Sequence, residues 1–94
     1  MDTETKSLII NLTEGQAKLL KAVFEKGVIA SGASGLSGHG LGRISSSLHQ
    51  AGFIEPMGRL GRQTKWQAVP LWEGKLKDYR KDILDLLEKI SGSS

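Results

Sequence analysis

The order of apolar and polar residues predicts two amphipathic helices that flank a central stretch. In residues 14–26 the apolar side chains recur three or four positions apart, which places them on one helical face. Thr13 and Gln16 supply the two halves of a capping box at the start of this helix, and Gly27 stands at its end. The same spacing returns from residue 74 or 75 to residue 90, where we expect a long C-terminal helix.

The central stretch, residues 35–69, begins with a predicted helix whose two faces differ in chemistry. Gly52 stands where this helix ends, because glycine adopts the left-handed conformation without steric cost. The apolar residues share one face: Leu41, Ile44, Leu48 and Ala51. The opposite face carries small, polar and basic residues: His39, Gly42, Arg43, Ser46 and Gln50.

A β-hairpin is predicted directly after this helix. Residues 53–55 start an extended run, the two glycines of residues 58–62 (GRLGR) bound a turn, and residues 63–69 (QTKWQAV) are rich in strand formers. Strand alternation places Trp66 and Ala68 on one face, so we expect Trp66 in the core.

Three other segments carry weaker patterns. Residues 1–6 are polar and we expect them to be frayed, while residues 7–12 (SLIINL) fit a short strand or an extended arm. Residues 28–34 (VIASGAS) predict a short or irregular second helix, since each interior glycine costs about 1 kcal/mol against alanine. We expect Leu71 and Trp72 to pack onto the domain, and residues 91–94 to form a disordered tail.

Length and composition indicate one soluble globular domain. The chain has 94 residues, 38% of them hydrophobic and 24% charged, which suits a single small core. It has no cysteine, and its longest apolar run is far shorter than a membrane span. We therefore expect a cytoplasmic protein with no membrane association.

The positive charge is concentrated in the central stretch. The formal net charge is +3. Acidic and basic residues cancel in residues 1–30 and again in residues 71–94, whereas residues 31–70 hold four basic residues against Glu55 alone. A local positive field of this kind suits a polyanion such as nucleic acid.

The central stretch resembles the winged helix-turn-helix superfamily, especially the small bacterial and archaeal regulators of the MarR, ArsR and PadR type. The resemblance lies in Gly35-Leu36-Ser37, thirteen further residues, and then Ala51-Gly52-Phe53-Ile54-Glu55. It implies a mainly α fold with a small β-hairpin (α+β). Residues 1–94 would form a single winged-helix domain, with its core in residues 7–70 and a dimerisation helix in residues 71–90.

The resemblance also implies a nucleic-acid interface on double-stranded DNA. Residues 39–50 would enter the major groove, where the planar fork of Arg43 can pair with guanine O6 and N7. The basic wing, residues 58–65, would lie on the minor groove or the flanking backbone. The candidate DNA-binding residues are Ser37, His39, Gly40, Gly42, Arg43, Ser46, Ser47, Gln50, Arg59, Arg62 and Lys65.

The C-terminal helix carries a narrow apolar seam that is typical of helix pairing. We expect this seam to form a homodimer, although folding back onto its own domain is the alternative. The candidate dimerisation residues are Leu76, Tyr79, Ile83, Leu86, Leu87 and Ile90.

The function predicted from the sequence is DNA binding by a dimeric, repressor-like transcriptional regulator associated with the nucleoid. A plasmid- or virus-encoded DNA-organising or partition protein fits the same fold, as does a protein–protein docking module, and RNA or Z-form nucleic acid is a further option. We expect no enzymatic activity, cofactor or metal site: GHGLG lacks the Walker lysine, and His39 and His49 have no cysteine or carboxylate pair beside them. A small-molecule effector is left open.

Overall fold

The structure, a computed structural model, describes residues 2–30, 41–61 and 63–92. Within these ranges the chain forms helices α1 (Thr3–Ile10), α2 (Glu14–Lys26), α3 (Leu41–Gln50) and α4 (Pro70–Ile90), and strands β1 (Val28–Ala30), β2 (Ile54–Leu60) and β3 (Gln63–Ala68). The three strands form one antiparallel sheet in the order β1-β3-β2. The prediction of a mainly helical fold with a small β-hairpin is thereby confirmed.

Helix α1 corrects the prediction for the N-terminus, which was a frayed segment followed by a strand or an arm. The carboxylate of Asp2 accepts a hydrogen bond of 2.7 Å from the backbone N–H of Thr5 and so caps the helix. Thr5 and Ile9 are fully buried. Burial of this face offsets the strand preference of the isoleucines, because tertiary packing overrides intrinsic propensity.

Helix α2 begins and ends where its local signals predict. Thr13 and Gln16 form a complete capping box, and Gly27 ends the helix with a φ of +86°. The apolar face of α2 is buried in the core: Ala17, Leu20, Val23 and Phe24. These boundaries could be predicted because each is set by contacts within a few residues.

The segment after α2 is a strand, so the predicted second helix is wrong for residues 28–30. Val28 pairs with Gln67 and Ala30 with Lys65, which adds β1 to the free edge of β3. Val28 and Ile29 are β-branched and favour this extended backbone. The remaining part of the predicted second helix, residues 31–34, lies outside the described residues.

Helix α4 starts earlier than predicted and packs on its own chain. It begins at Pro70, whose fixed φ suits the first helical position, and its backbone leaves helical geometry once, at Tyr79. The guanidinium of Arg80 donates to the carbonyls of Phe24 and Glu25 at 3.3 and 3.5 Å, which ties α4 to the end of α2. Leu71 is 66% exposed, so its predicted packing onto the domain is wrong.

The predicted dimerisation seam is largely used within the chain. Ile83 and Leu87 are fully buried, and Leu76, Tyr79, Leu86 and Ile90 are partly buried against the same core. Ile83 and Leu87 therefore stabilise the monomer and are not available for contacts with a second copy. Dimerisation itself stays a prediction.

The C-terminal end of α4 also differs from the predicted tail. Ser91 is buried, and its hydroxyl donates to the carbonyl of Glu88 at 2.9 Å. Residues 93 and 94 lie outside the described ranges.

Aromatic rings join α2, the segment before β2 and α4 in the centre of the core. The ring of Trp72 lies 5.9 Å from that of Phe24 and 4.8 Å from that of Phe53, centroid to centroid. This cluster fixes the start of α4 against α2 and the segment before β2. Over the described part of the chain, no helix combines the length and apolarity needed to cross a bilayer.

Candidate nucleic-acid interface

Helix α3 presents one polar face to solvent. Leu48 is buried and Ile44 is partly buried against α2, which directs the opposite side of the helix outward. Ala51 is exposed, contrary to its predicted place on the apolar face, because the helix ends at Gln50. The exposed residues of α3 include no carboxylate: Gly42, Arg43, Ser46, His49 and Gln50.

The start of α2 holds α3 in place. The side-chain amide of Gln16 donates to the hydroxyl of Ser47 at 2.8 Å, and that hydroxyl donates to the carbonyl of Ile44 at 2.8 Å. Gly15 allows the close approach, since a Cβ there would lie 2.8 Å from Cδ1 of Ile44. Ser47, a predicted DNA contact, is therefore a partly buried residue of the interface between α2 and α3.

The β-hairpin has a tighter turn than predicted and an irregularity in its first strand. Leu60 pairs with Gln63, so that only residues 61 and 62 separate the strands. Gly58 was predicted to bound the turn, but it lies within β2, where the pairing shifts between Pro56 and Gly58. Met57 is thus the extra residue of a β-bulge, and Gly58 has a φ of +143° that favours glycine.

The bulge decides which way Arg59 points. In a regular strand Arg59 would lie on the face opposite Pro56, because alternate residues point to opposite sides. With one extra residue, Arg59 pairs with Thr64 and shares the face of Pro56 and Trp66 instead. Arg59 is exposed at this position. The irregularity therefore moves a cation to the side of the hairpin that carries Trp66.

That side of the hairpin contacts α3. The imidazole of His49 lies 5.7 Å from the indole of Trp66, centroid to centroid, at an interplanar angle of 57°. Trp66 is buried, as the strand alternation predicts. The contact brings the exposed face of α3 and the Arg59 side of the hairpin into one continuous surface, which we call the α3–hairpin surface.

His49 is the member of this surface that the sequence prediction missed. The sequence indicates His49 only as a candidate metal ligand, which lacks partner ligands. The sequence does contain a signal for this role. His49 is the penultimate residue of α3, and a core tryptophan follows on the hairpin. As an exposed ring beside Trp66, it adds a hydrogen-bonding side chain to the α3–hairpin surface.

Lys65 is not part of the α3–hairpin surface. It pairs with Gly58 and so lies on the other face of the hairpin, next to the positions of Glu55 and Gln67. On that face the side-chain amide of Gln67 donates to the carboxylate of Glu55 at 2.7 Å. Among the described residues of the hairpin, the two faces therefore differ in charge: a carboxylate lies on the Lys65 face and none on the Arg59 face.

The arginines of the α3–hairpin surface are available for an anion. Both ion pairs among the described residues lie within α2, Glu14 with Lys18 and Glu25 with Lys21. Neither Arg43 nor Arg59 pairs with a described carboxylate. Four predicted contacts, Ser37, His39, Gly40 and Arg62, lie outside the described residues.

Compared with known proteins, the chain matches no family model, no curated protein and no solved structure. What the α3–hairpin surface binds must therefore be inferred from its geometry and charge.

Proposed function

We propose that this protein binds double-stranded DNA as a winged helix-turn-helix domain, in the manner of a repressor-like transcriptional regulator. The order of elements supports the proposal: α2 leads through β1 to α3, a two-stranded hairpin follows, and β1 pairs with the second hairpin strand. In such an arrangement α3 is the recognition helix and the hairpin is the wing.

The observation that carries the proposal is the position of Arg59 relative to α3. The bulge at Met57 places Arg59 on the face of the hairpin that contacts α3 through Trp66 and His49. A cation on the wing and a cation on the recognition helix, Arg43, thereby belong to one surface whose described residues include no exposed carboxylate. A phosphate backbone is the polyanion that such a surface fits.

The proposed mechanism assigns different tasks to the two elements. Helix α3 enters the major groove, which is wide enough to admit a helix, and Arg43 reads guanine through its O6 and N7. Gly42 and Ser46 keep the exposed face small, so that the helix backbone approaches the bases closely. Arg59 binds the backbone or the minor groove beside the helix and fixes its register.

Binding to duplex DNA over a salt series tests this proposal. Fluorescence anisotropy with a labelled duplex of about 30 base pairs gives the slope of log affinity against log salt, about −0.9 for each phosphate contact. We expect salt-sensitive binding by the natural protein, and a slope shallower by about one to two units in the double variant Arg43→Ala/Arg59→Ala. A matched control is Lys77→Ala/Lys81→Ala, which removes two exposed cations from α4.

The control variant should keep the slope of the natural protein. Equal losses in the two double variants would mean that net charge, rather than the α3–hairpin surface, determines binding. No binding to the duplex at low salt would overturn the proposed function.

A further inference from the structure

A second surface lies where α1 packs against α4. A shallow depression of about 320 Å³ is lined there by Lys6, Asp82, Asp85, Leu86 and Lys89. Ile10 follows Lys6 by one helical turn on the same side of α1 and is 52% exposed. We call these six residues the α1/α4 face.

The charges of this face have no partner of opposite sign within the described chain. Both ion pairs of the described residues lie in α2, so Lys6, Asp82, Asp85 and Lys89 are unpaired among them. Asp82 and Lys89 are seven residues apart on α4, a rise of about 10.5 Å, and so cannot reach each other along one helix. The face carries two carboxylates and two ammonium groups and is electrically neutral.

The order of these residues along α4 is acidic, then apolar, then basic. Asp82, Asp85, Leu86 and Lys89 follow the i, i+3, i+4, i+7 spacing of one helical stripe. If two copies of α4 meet in antiparallel orientation about a two-fold axis near Leu86, Asp82 lies opposite Lys89 of the partner subunit. The symmetry repeats the same pair on the other side of the axis. A parallel arrangement would place like charges opposite each other along the whole stripe, whereas the antiparallel one does so only at Asp85, which lies beside the axis.

We infer that the α1/α4 face is a homodimer interface in which α4 pairs antiparallel with α4 of a second copy. Two Asp82–Lys89 pairs flank a centre where Leu86 lies on one side of the axis and Asp85 on the other, and Ile10 extends the apolar area. This interface differs from the dimerisation seam predicted from the sequence, and Leu86 is the one residue that the two share. The proposed DNA-binding regulator is a dimer, and the inference identifies the surface through which its two copies meet. The inference rests on the proposed function only for the role of the dimer in DNA binding.

Sedimentation equilibrium of the full chain without DNA measures the dimer directly. Over protein concentrations from about 1 to 500 µM, we expect a reversible monomer–dimer equilibrium that weakens as salt screens the surface pairs. Asp82→Lys changes two attractive pairs into two repulsive ones, and so does Lys89→Asp. Because exposed ion pairs contribute modestly, either single reversal should raise the dimer dissociation constant by about ten- to thirtyfold.

The decisive variant is the double reversal Asp82→Lys/Lys89→Asp. It should restore the dissociation constant to within a few-fold of the natural value, because the swapped charges again face opposite signs across the axis. Pairing within one helix cannot produce this rescue, given the distance between the two positions. Glu88→Lys is the matched control, since it makes the same charge change on the other side of α4 and should leave dimerisation unchanged.

Thermal melts by circular dichroism confirm that each variant is folded. A chain that stays monomeric at low salt over the whole concentration range overturns the inference, as does a double reversal that fails to restore the dimer. The oligomeric state is measured in the absence of DNA. Binding to the duplex is measured by a titration that does not depend on whether the protein is a dimer. A failure of one proposal is therefore distinguishable from a failure of the other.

Discussion

The side-chain amide of Gln16 donates a hydrogen bond of 2.8 Å to the hydroxyl of Ser47. The same side chain accepts from the backbone N–H of Thr13 at 2.9 Å, so one residue caps α2 and holds α3 against it. A single hydrogen bond thus joins the proposed recognition helix to a residue 31 positions away in the sequence. This coupling separates the role of Ser47 from that of its neighbour Ser46.

Replacing Ser47 by alanine should weaken the fold and not the DNA contact. The variant loses the hydrogen bond to Gln16, and we expect the free energy of unfolding to fall by about 1 kcal/mol. Ser46→Ala is the matched control: Ser46 is exposed, so stability should stay the same or rise slightly, while affinity for duplex DNA falls. Urea unfolding and anisotropy check both quantities, and the reverse pattern would contradict the assignment of Ser47 to the helix interface.

The elements that could be predicted from the sequence are those set by local contacts. The capping box of Thr13 and Gln16, the left-handed Gly52 and the alternation around Trp66 all act within a few residues, and the structure has them as predicted. The exposed positions of Arg43, Ser46 and Gln50 follow in the same way from helical geometry.

The elements that could not be predicted depend on residues far apart in the chain. Residues 8–10 favour a strand locally, and the burial of Thr5 and Ile9 in the core stabilises α1 as a helix. A glycine such as Gly58 suits a turn or a bulge equally well, and the cross-strand register decides between them. The seam of α4 has the spacing of a dimer helix, but α1 and α2 occupy it within the chain.

Two exposed helical glycines allow stability and function to be separated. A Cβ at Gly42 in α3 or at Gly74 in α4 would meet no atom within 4 Å. Either substitution by alanine should therefore stabilise the fold, by about 0.5–1 kcal/mol. Only Gly42→Ala should reduce affinity for duplex DNA, since it adds a methyl group to the surface that approaches the bases. Equal DNA affinities of the two variants would exclude a close approach of the α3 backbone to the bases at Gly42.

The bulge in β2 should be necessary for the orientation of Arg59. Gly58 has a φ of +143°, so Gly58→Ala should lower the free energy of unfolding by about 1–2 kcal/mol. If the register changes to relieve the strain, Arg59 moves to the other face and the salt slope of DNA binding approaches that of Arg59→Ala. Met57→Ala, which alters the exposed bulge residue without a positive φ, should leave both quantities near the natural values. Amide chemical shifts report whether the register has changed, and an unchanged slope in a Gly58→Ala variant whose register has changed would contradict the role of the bulge.

The cap of α1 should make stability sensitive to acid. The pKa of Asp2 is lowered below its ordinary value, most strongly by a hydrogen bond from the side chain of Thr5 and next by one from its backbone. The positive charge of Lys75 lowers it by a smaller amount. A lowered pKa in the folded state means that the ionised carboxylate stabilises α1 at neutral pH, and that this contribution is lost as the pH falls below about 4. Asp2→Asn keeps a good cap that does not titrate.

Melting temperatures of the two proteins between about pH 7 and pH 2.5 check this expectation. The natural protein should lose more stability on acidification than Asp2→Asn. The other carboxylates are common to both proteins, so the difference between the two curves reports Asp2 alone. Parallel curves would show that Asp2 does not couple to folding.

The central claim is that the α3–hairpin surface binds duplex DNA, and mapping the contact by nuclear magnetic resonance tests it most directly. In a titration of the ¹⁵N-labelled protein with duplex DNA, we expect the largest amide shifts at Gly42, Arg43, Ser46, His49 and Gln50 in α3 and at Arg59 and Thr64 in the hairpin. The amides of α1 and of residues 75–90 should move little. Shifts confined to α1 and α4, or no shifts at low salt, would contradict the account.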